Sequence, residues 1–248
     1  MLSELQKTTL AYEVVEGLDA RQLDLSNERL VTPAMLARPT FRPGAAGCTL
    51  SHHRVYRRIL ELGHECGLVL EDDIDLPADL GTLADAVASQ MSGAEIVLLN
   101  FHAYGPVEFS SNDTIELPNS RLLAYPVNLH RLTSGAAYLV TAEACRRLED
   151  GEVPMRTHCD DWEFFVSQGE LDRVRGVLPM AVFNSPRFRT TIDAFPPGSL
   201  QLRLREMVAT AKVPLLQRAL AARRAHGEKA QALLVDKTYV TGRAERYD

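Results

Sequence analysis

The sequence predicts an α/β domain with a mixed but mostly parallel sheet, flanked by helices and followed by a C-terminal helical appendage. Two short segments, residues 67–70 and 96–99, are wholly apolar, as expected of strands covered on both faces. A helix predicted from Pro77 to about Met91 lies between them, so the three segments form a strand–helix–strand unit. Residues 200–225 have an amphipathic helical pattern interrupted at Pro214, which predicts the appendage.

The remaining elements follow from periodicity and from capping residues. The alternation of residues 11–15 predicts a strand, and apolar residues three to five apart predict a helix over residues 48–62. Ser51 is a candidate cap near the start of that helix, and Gly63 is placed to end it. Further strands are predicted at 121–126, 136–140 and within 174–183, and further helices at 142–148 and 160–167.

Length and composition bound the domain organisation and the partners. The chain has 248 residues, which suits one main domain over residues 1–199 and the appendage over 200–248. No apolar run reaches the length of a membrane span, and the polar N-terminus lacks the apolar stretch of a signal peptide, so the expected location is the cytoplasm.

Charge is distributed unevenly along the chain. The net charge is −6, but residues 201–248 carry ten basic and five acidic side chains, which gives +5 there and −11 in the rest. An acidic main domain argues against nucleic acid as a partner. The basic helix is either a solvated face or a peripheral contact with the cytoplasmic face of the inner membrane. Unchanged liposome binding after deletion of the residues beyond Leu200 would contradict the membrane contact.

One set of residues has the composition of a Cys2His2 zinc site: Cys48, His52, His64 and Cys66. The H-x-C spacing of the second pair is wrong for the usual zinc hairpins. We therefore favour small core thiols and histidines on a helix surface. The four cysteines of the chain form no C-x-x-C pair, which indicates free thiols in a reducing compartment.

Glu71, Asp72 and Asp73 directly follow the predicted strand 67–70. Ligands of α/β sheets bind outside the carboxyl ends of the strands, and carboxylates are suited to Mg²⁺ or Mn²⁺. Such an ion can neutralise charge on a diphosphate leaving group. The alternative is a solvated acidic turn before the helix at Pro77, and the pattern alone does not decide between the two.

A second acidic pair, Asp160 and Asp161, precedes the predicted helix at 160–167. One of these carboxylates could act as a general base if burial raises its pKa, or the pair could cap the helix. Trp162 could stack on a sugar but is more typical of a core anchor. The small residues 133–138, which include Ser134 and Gly135, would let a ligand approach the backbone, although ordinary strand packing explains them equally well.

Four segments, in order, resemble glycosyltransferase family 25. Residues 43–52, PGAAGCTLSH, look like its signature, roughly G-x-x-G-C-x-x-S-H, and residues 70–73 match its L-E-D-D. Residues 134–140 are similar to its small-residue stretch entering a strand, and Asp160 or Asp161 is similar to a following aspartate. Enzymes of this family act in lipopolysaccharide and lipooligosaccharide biosynthesis. Phosphate-binding motifs such as G-x-x-x-x-G-K-[ST] and G-x-G-x-x-G do not occur in the sequence.

The resemblance implies a GT-A-like, Rossmann-type fold with a D-x-D type metal corner. It implies an inverting transfer from a UDP-sugar, often UDP-galactose, to a glycan or glycolipid acceptor, with Mn²⁺ or Mg²⁺. The implied roles are metal binding by Asp73 and Asp72, and a catalytic base at Asp160 or Asp161. The implied contacts to the donor come from Ser51, His52, Glu71, Asp72, Ser134 and Gly135.

Two features depart from the family pattern. The family begins with a strand like V-I-N-L that builds part of the nucleotide pocket, and the chain begins beyond the corresponding position. Ala45 stands where the family often has glutamate. One alternative is therefore a degenerate, non-catalytic relative that binds a glycan or a protein. Another keeps the metal site in a phosphate-ester hydrolase or nucleotidyltransferase, which the four ordered segments argue against.

Overall fold

The computed structural model is built around a six-stranded mixed sheet. It describes residues 5, 8, 10–39, 41–103, 107–152, 154–185 and 232–239. The strands of this sheet are β1 (Cys66–Leu70), β3 (Glu95–Leu98), β6 (Ile115–Leu117), β7 (Arg121–Ala124), β9 (Ala137–Thr141) and β10 (Arg173–Leu178). Their order across the sheet is β1-β9-β3-β10-β7-β6.

Shorter pairs of strands flank this sheet. They are β2 (Ile74–Asp75) with β11 (Phe183–Asn184), β4 (His102–Ala103) with β8 (Leu132–Thr133), and β5 (Val107–Ser110) with β12 (Ala232–Val235). The helices are α1 (Pro33–Leu36), α2 (Pro43–Glu61), α3 (Leu80–Ala88), α4 (Ala142–Glu152) and α5 (Trp162–Gln168). Single 3₁₀ turns cover Ala20–Gln22 and Leu129–Arg131.

The prediction of a mostly parallel sheet is wrong. Within the six-stranded sheet of the described residues, β3 and β10 pair in parallel and the other four pairings are antiparallel. The reason is that β9 lies between β1 and β3 and runs against both. The strand–helix–strand unit β1–α3–β3 therefore exists, but it is split by a strand from much later in the chain, and β1 is an edge strand.

Alternating side chains of the central strands pack into two apolar layers, one on each face of the sheet. Ile96 and Leu98 face the layer that includes residues of α2, α4 and α5, whereas Val97 and Leu99 face the layer that includes α3. Because successive strand residues point to opposite faces, the wholly apolar composition of residues 96–99 requires helices on both sides. The predicted helical flanking is confirmed.

Several element boundaries differ from prediction for local reasons. Residues 11–15 form no strand, and Tyr12 and Val14 are exposed. α2 begins at Pro43, so Ser51 lies inside the helix, where its Oγ donates to the Gly47 carbonyl. Gly63, with φ of +69°, follows the C-cap as predicted. Similarly, α3 begins three residues after the proline expected at its first turn.

Much of the predicted appendage, including the helix over 200–225, lies outside the described residues. The described part, residues 232–239, contains a strand and no helix: β12 pairs in parallel with β5. The ring of Tyr239 also stacks on Tyr125, with ring centroids 4.0 Å apart. Within the described ranges, no helix is long and apolar enough to cross a membrane.

Candidate active site at one edge of the sheet

Three chain segments bring polar side chains to one edge of the sheet. Since β1, β3 and β10 run in the same direction and β9 runs against them, the carboxyl ends of the first three lie beside the amino end of β9. Glu71 and Asp73 follow β1, Asn100 follows β3, and Ser134 and Gly135 precede β9. This is the edge at which ligands of α/β sheets bind.

Asn100 joins these segments from within the core. It is fully buried, and its amide nitrogen donates to the Val182 carbonyl at 3.0 Å and to Asn184 Oδ1 at 3.3 Å. Its carbonyl oxygen accepts from Ser134 Oγ at 2.6 Å. The Ser134 hydroxyl in turn accepts from the Ala136 amide. The side chain of Asn100 thus fixes the entry to β9 against β11.

Asp73 has the environment expected of a cation ligand. Its Oδ1 is buried and has no hydrogen-bond partner within the described part of the chain. Burial, and then the nearby carboxylates of Glu71 and Asp72, raise the pKa of Asp73. The backbone carbonyl of Asp73 accepts from the Ser185 amide at 2.7 Å, which holds this turn beside β11. An orphaned carboxylate oxygen among other carboxylates fits a divalent ion.

Glu71 and His52 face each other beside the turn at residues 71–73. His52 Nε2 lies 3.3 Å from Glu71 Oε1, and Nδ1 lies 2.6 Å from the Tyr138 hydroxyl. Burial alone opposes a charged imidazole, but hydrogen bonds to Cys48 and Glu71 raise the pKa of His52 to about 10. Only 5% of His52 is exposed, so the expectation of a surface histidine is wrong. The side chain points inward from α2 because it has these polar partners.

The zinc set considered from the sequence does not converge. His64 is exposed beyond the end of α2, and the sulfur of Cys66 lies 3.9 Å from that of Met91. Cys48 and His52 instead lie beside the buried Cys159, with all three potential ligand atoms within 4.8 Å of one another. A hydrogen bond from Cys159 is the main cause that lowers the pKa of Cys48 to about 6.

The two aspartates before α5 are held in different ways. Asp161 caps the helix: Oδ1 accepts from the Phe164 amide at 3.3 Å and Oδ2 accepts from Thr157 Oγ1 at 2.6 Å. Asp160 points to the sheet edge, where its Oδ2 accepts from the Ser134 amide at 2.9 Å. Trp162 is 1% exposed and packs edge-on against Tyr138, as expected of a core anchor.

A cavity of about 170 Å³ adjoins Asp160. It is lined by Leu129, His130, Leu132, Thr133, His158, Asp160, Asp161, Trp162 and Glu163. Burial lowers the pKa of His158, which favours a neutral imidazole in this wall. The cavity therefore offers apolar surface, two histidines and carboxylates next to the strand ends.

Ser51 is the predicted site residue that the structure places elsewhere. Its Oγ accepts from the Leu18 amide at 2.8 Å, so it ties the segment before α1 to α2. Sequence reasoning missed Asn100, Tyr138 and Cys159. Asn100 could have been found, because it directly follows the predicted strand 96–99. Tyr138 and Cys159 meet His52 and Cys48 only through the tertiary fold.

Comparison with known families agrees with the ordered motifs. The family model described as "Glycosyltransferase family 25 (LPS biosynthesis protein)" matches residues 1–160, which is more than half of the chain and contains the strand-end carboxylates. No curated protein matches the chain significantly. The chain belongs to glycosyltransferase family 25, the glycosyltransferases of lipopolysaccharide biosynthesis.

Proposed function

We propose that the protein is an inverting, metal-dependent transferase that moves a sugar, expected to be galactose, from a UDP-sugar to a lipopolysaccharide or lipooligosaccharide acceptor. Family membership supports the general activity. The observation that carries the finer proposal is the buried Oδ1 of Asp73, which lies at the ligand-binding edge of the sheet and has no hydrogen-bond partner among the described residues.

The donor would lie across the end of β1. Asp73 and Asp72 would hold Mn²⁺ or Mg²⁺, and the bound ion would neutralise charge on the diphosphate leaving group. Ser134 is held in place by Asn100, whereas the space beside the Gly135 Cα is taken by the ring of His52, so Gly135 would meet the donor only through its backbone. His52 is too buried to form much of the donor surface, so its expected support of the donor acts through Glu71.

Asp160 is the better candidate for the base. Inversion needs a group on the face opposite the leaving diphosphate that accepts the proton of the acceptor hydroxyl. Asp160 borders the cavity and is oriented by the Ser134 amide, whereas both oxygens of Asp161 accept hydrogen bonds, one from the Phe164 amide of the helix cap and one from Thr157. The acceptor sugar would then occupy the cavity.

Calorimetric titration with UDP, with and without Mn²⁺, tests the donor site. We expect binding that requires Mn²⁺, loss of that binding in Asp73→Ala, and unchanged binding in Asp85→Ala, an exposed position on α3. Binding that ignores Mn²⁺ or survives Asp73→Ala would contradict the proposal and favour a non-catalytic relative.

The rate of sugar release from a panel of UDP-sugars tests whether Asp160 is the base. Asp160→Asn should lower kcat by roughly 10²- to 10⁴-fold while UDP affinity stays constant. Asp161→Asn should keep most of the transfer rate. An Asp160→Asn variant with normal kcat would exclude this residue as the base.

A further inference from the structure

We propose a structural zinc site next to the acidic cluster of residues 71–73, distinct from the Mn²⁺ or Mg²⁺ site proposed at Asp73. Its four ligands are Cys48, His52, Glu71 and Cys159. Two come from α2, one from the end of β1 and one from the segment that leads into α5. A set of four protein ligands with no open position is typical of structural zinc.

Two of the six ligand–ligand distances match the edges of a zinc tetrahedron. With the usual zinc–ligand bond lengths, a nitrogen and an oxygen ligand lie about 3.3 Å apart, and a sulfur and an oxygen ligand about 3.5 Å apart. His52 Nε2 lies 3.3 Å from Glu71 Oε1, and Cys48 Sγ lies 3.6 Å from the same oxygen. The ligand atoms of Cys48, His52 and Cys159 all fall within 4.8 Å of one another.

Gly135 provides an independent check on this arrangement. A Cβ at that position would lie 3.2 Å from His52 Nε2 and 3.7 Å from Cys159 Sγ. The nitrogen and the sulfur therefore approach the same point of the backbone. The absence of a side chain at Gly135 leaves both atoms free to turn toward a shared ion.

The second ring nitrogen of His52 has the partner that a zinc ligand requires. The Tyr138 hydroxyl, 2.6 Å from Nδ1, donates its own proton to the Tyr56 hydroxyl at 3.0 Å. It can therefore accept from Nδ1–H, which leaves the lone pair of Nε2 for a metal. Metal-bound histidines usually donate their other N–H in this manner.

The charge of the cluster also suits zinc. Two thiolates and a carboxylate carry −3, which a divalent ion reduces to −1. Soft thiolate ligands select zinc over Mg²⁺ or Mn²⁺, whereas the carboxylates at Asp73 prefer the harder ions. The two neighbouring sites would thus take different metals.

The zinc site would position the base. Cys159 directly precedes Asp160, and its backbone amide donates to Thr49 Oγ1 on α2 at 3.1 Å. An ion shared by α2, β1 and Cys159 would fix this segment against the sheet edge. Loss of the ion would release Asp160 and would also free Glu71, the residue through which His52 supports the donor.

Titration of the reduced protein with Co²⁺, a spectroscopic substitute for zinc, tests the inference. We expect one ion per chain, a thiolate-to-cobalt charge-transfer band, the d–d bands of tetrahedral cobalt, and displacement of all of them by one equivalent of zinc. Cys48→Ser and Cys159→Ser should each lose the band or at least half its intensity. Cys66→Ser is the matched control and should keep it.

Two further variants keep the test decisive. Tyr138→Phe retains the ring and should weaken zinc binding roughly 10- to 100-fold. This variant takes over the test if a serine variant fails to fold. Asp73→Ala should lose Mn²⁺-dependent UDP binding and keep the cobalt band, so the two proposals can fail separately. Three results would overturn the zinc site. They are absence of the band, a band unchanged in both serine variants, and a Cys48–Cys159 disulfide that returns directly after reduction.

Discussion

Replacement of Asn100 should destabilise the whole sheet edge. The Asn100→Ala variant loses two donated hydrogen bonds, to Val182 and Asn184, and one accepted from Ser134. Each is worth about 1 kcal/mol net, so we expect the free energy of unfolding to fall by about 3 kcal/mol. The side chain is fully buried, so water cannot readily replace its bonds in the folded protein.

Urea unfolding followed by circular dichroism measures this change. The midpoint should fall while the slope of free energy against urea concentration stays constant. Asn100→Asp keeps the acceptor for Ser134 but removes both donors, so it should be at least as damaging. Asn128→Ala is the control, because the amide of Asn128 makes one 3.5 Å contact with Glu108. A loss below about 1 kcal/mol in Asn100→Ala would refute the reasoning.

Three other substitutions probe caps, charge and packing. Asp161→Ala should lower the free energy of unfolding by about 1 kcal/mol through loss of the α5 cap. A hydrogen bond from Arg121 is the main cause that lowers the pKa of Asp79, so its stabilisation is present at neutral pH and is lost as pH falls through the lowered pKa. Asp79→Asn should therefore cost about 1 kcal/mol or less at pH 7, with the difference from wild type shrinking in acid. Gly47→Ala should cost about 1–3 kcal/mol, because the added Cβ would lie 2.7 Å from a backbone oxygen.

Urea unfolding, repeated across pH for Asp79, checks these values against matched variants. Asp161→Ser retains a capping oxygen and should recover most of the loss. Asp85→Asn lies on the exposed face of α3 and should leave the pH profile unchanged. Gly81→Ala meets its nearest neighbour at an ordinary 3.5 Å and should be neutral or stabilising. Equal losses in Gly47→Ala and Gly81→Ala would contradict the packing argument.

Local pattern was enough for most elements but not for the sheet. The helix over 48–62, the strands around residues 67–70 and 96–99, and the turn at Gly63 were readable because periodicity and capping act over a few residues. Strand direction was not readable, because the pairing of Cys66 with Thr141 is decided by contacts far apart in the chain. Residues 11–15 alternate like a strand, yet no neighbouring strand pairs with them in the described structure.

The placement of the candidate site residues was predictable where it depends on strand ends. Asp73 and Ser134 reach the same edge because each flanks a strand that the sequence indicates. The interior of the site was less predictable. The sequence predicts His52 on the surface of a helix. Only its contacts with Tyr138 and Glu71 in the folded protein show that the side chain turns inward. The choice of Asp160 over Asp161 as the candidate base also depends on the hydrogen bond from the Ser134 amide, which the sequence does not reveal.

The insertion of β9 between β1 and β3 has a consequence for synthesis on the ribosome. β1 and β3 leave the exit tunnel well before Ala137–Thr141 has been translated, so neither can find its native neighbour early. Until then both present open hydrogen-bonding edges, which invite association with other nascent chains. We therefore expect a ribosome-bound fragment that ends before β9 to require a chaperone, and one that extends past Leu178 to resist protease.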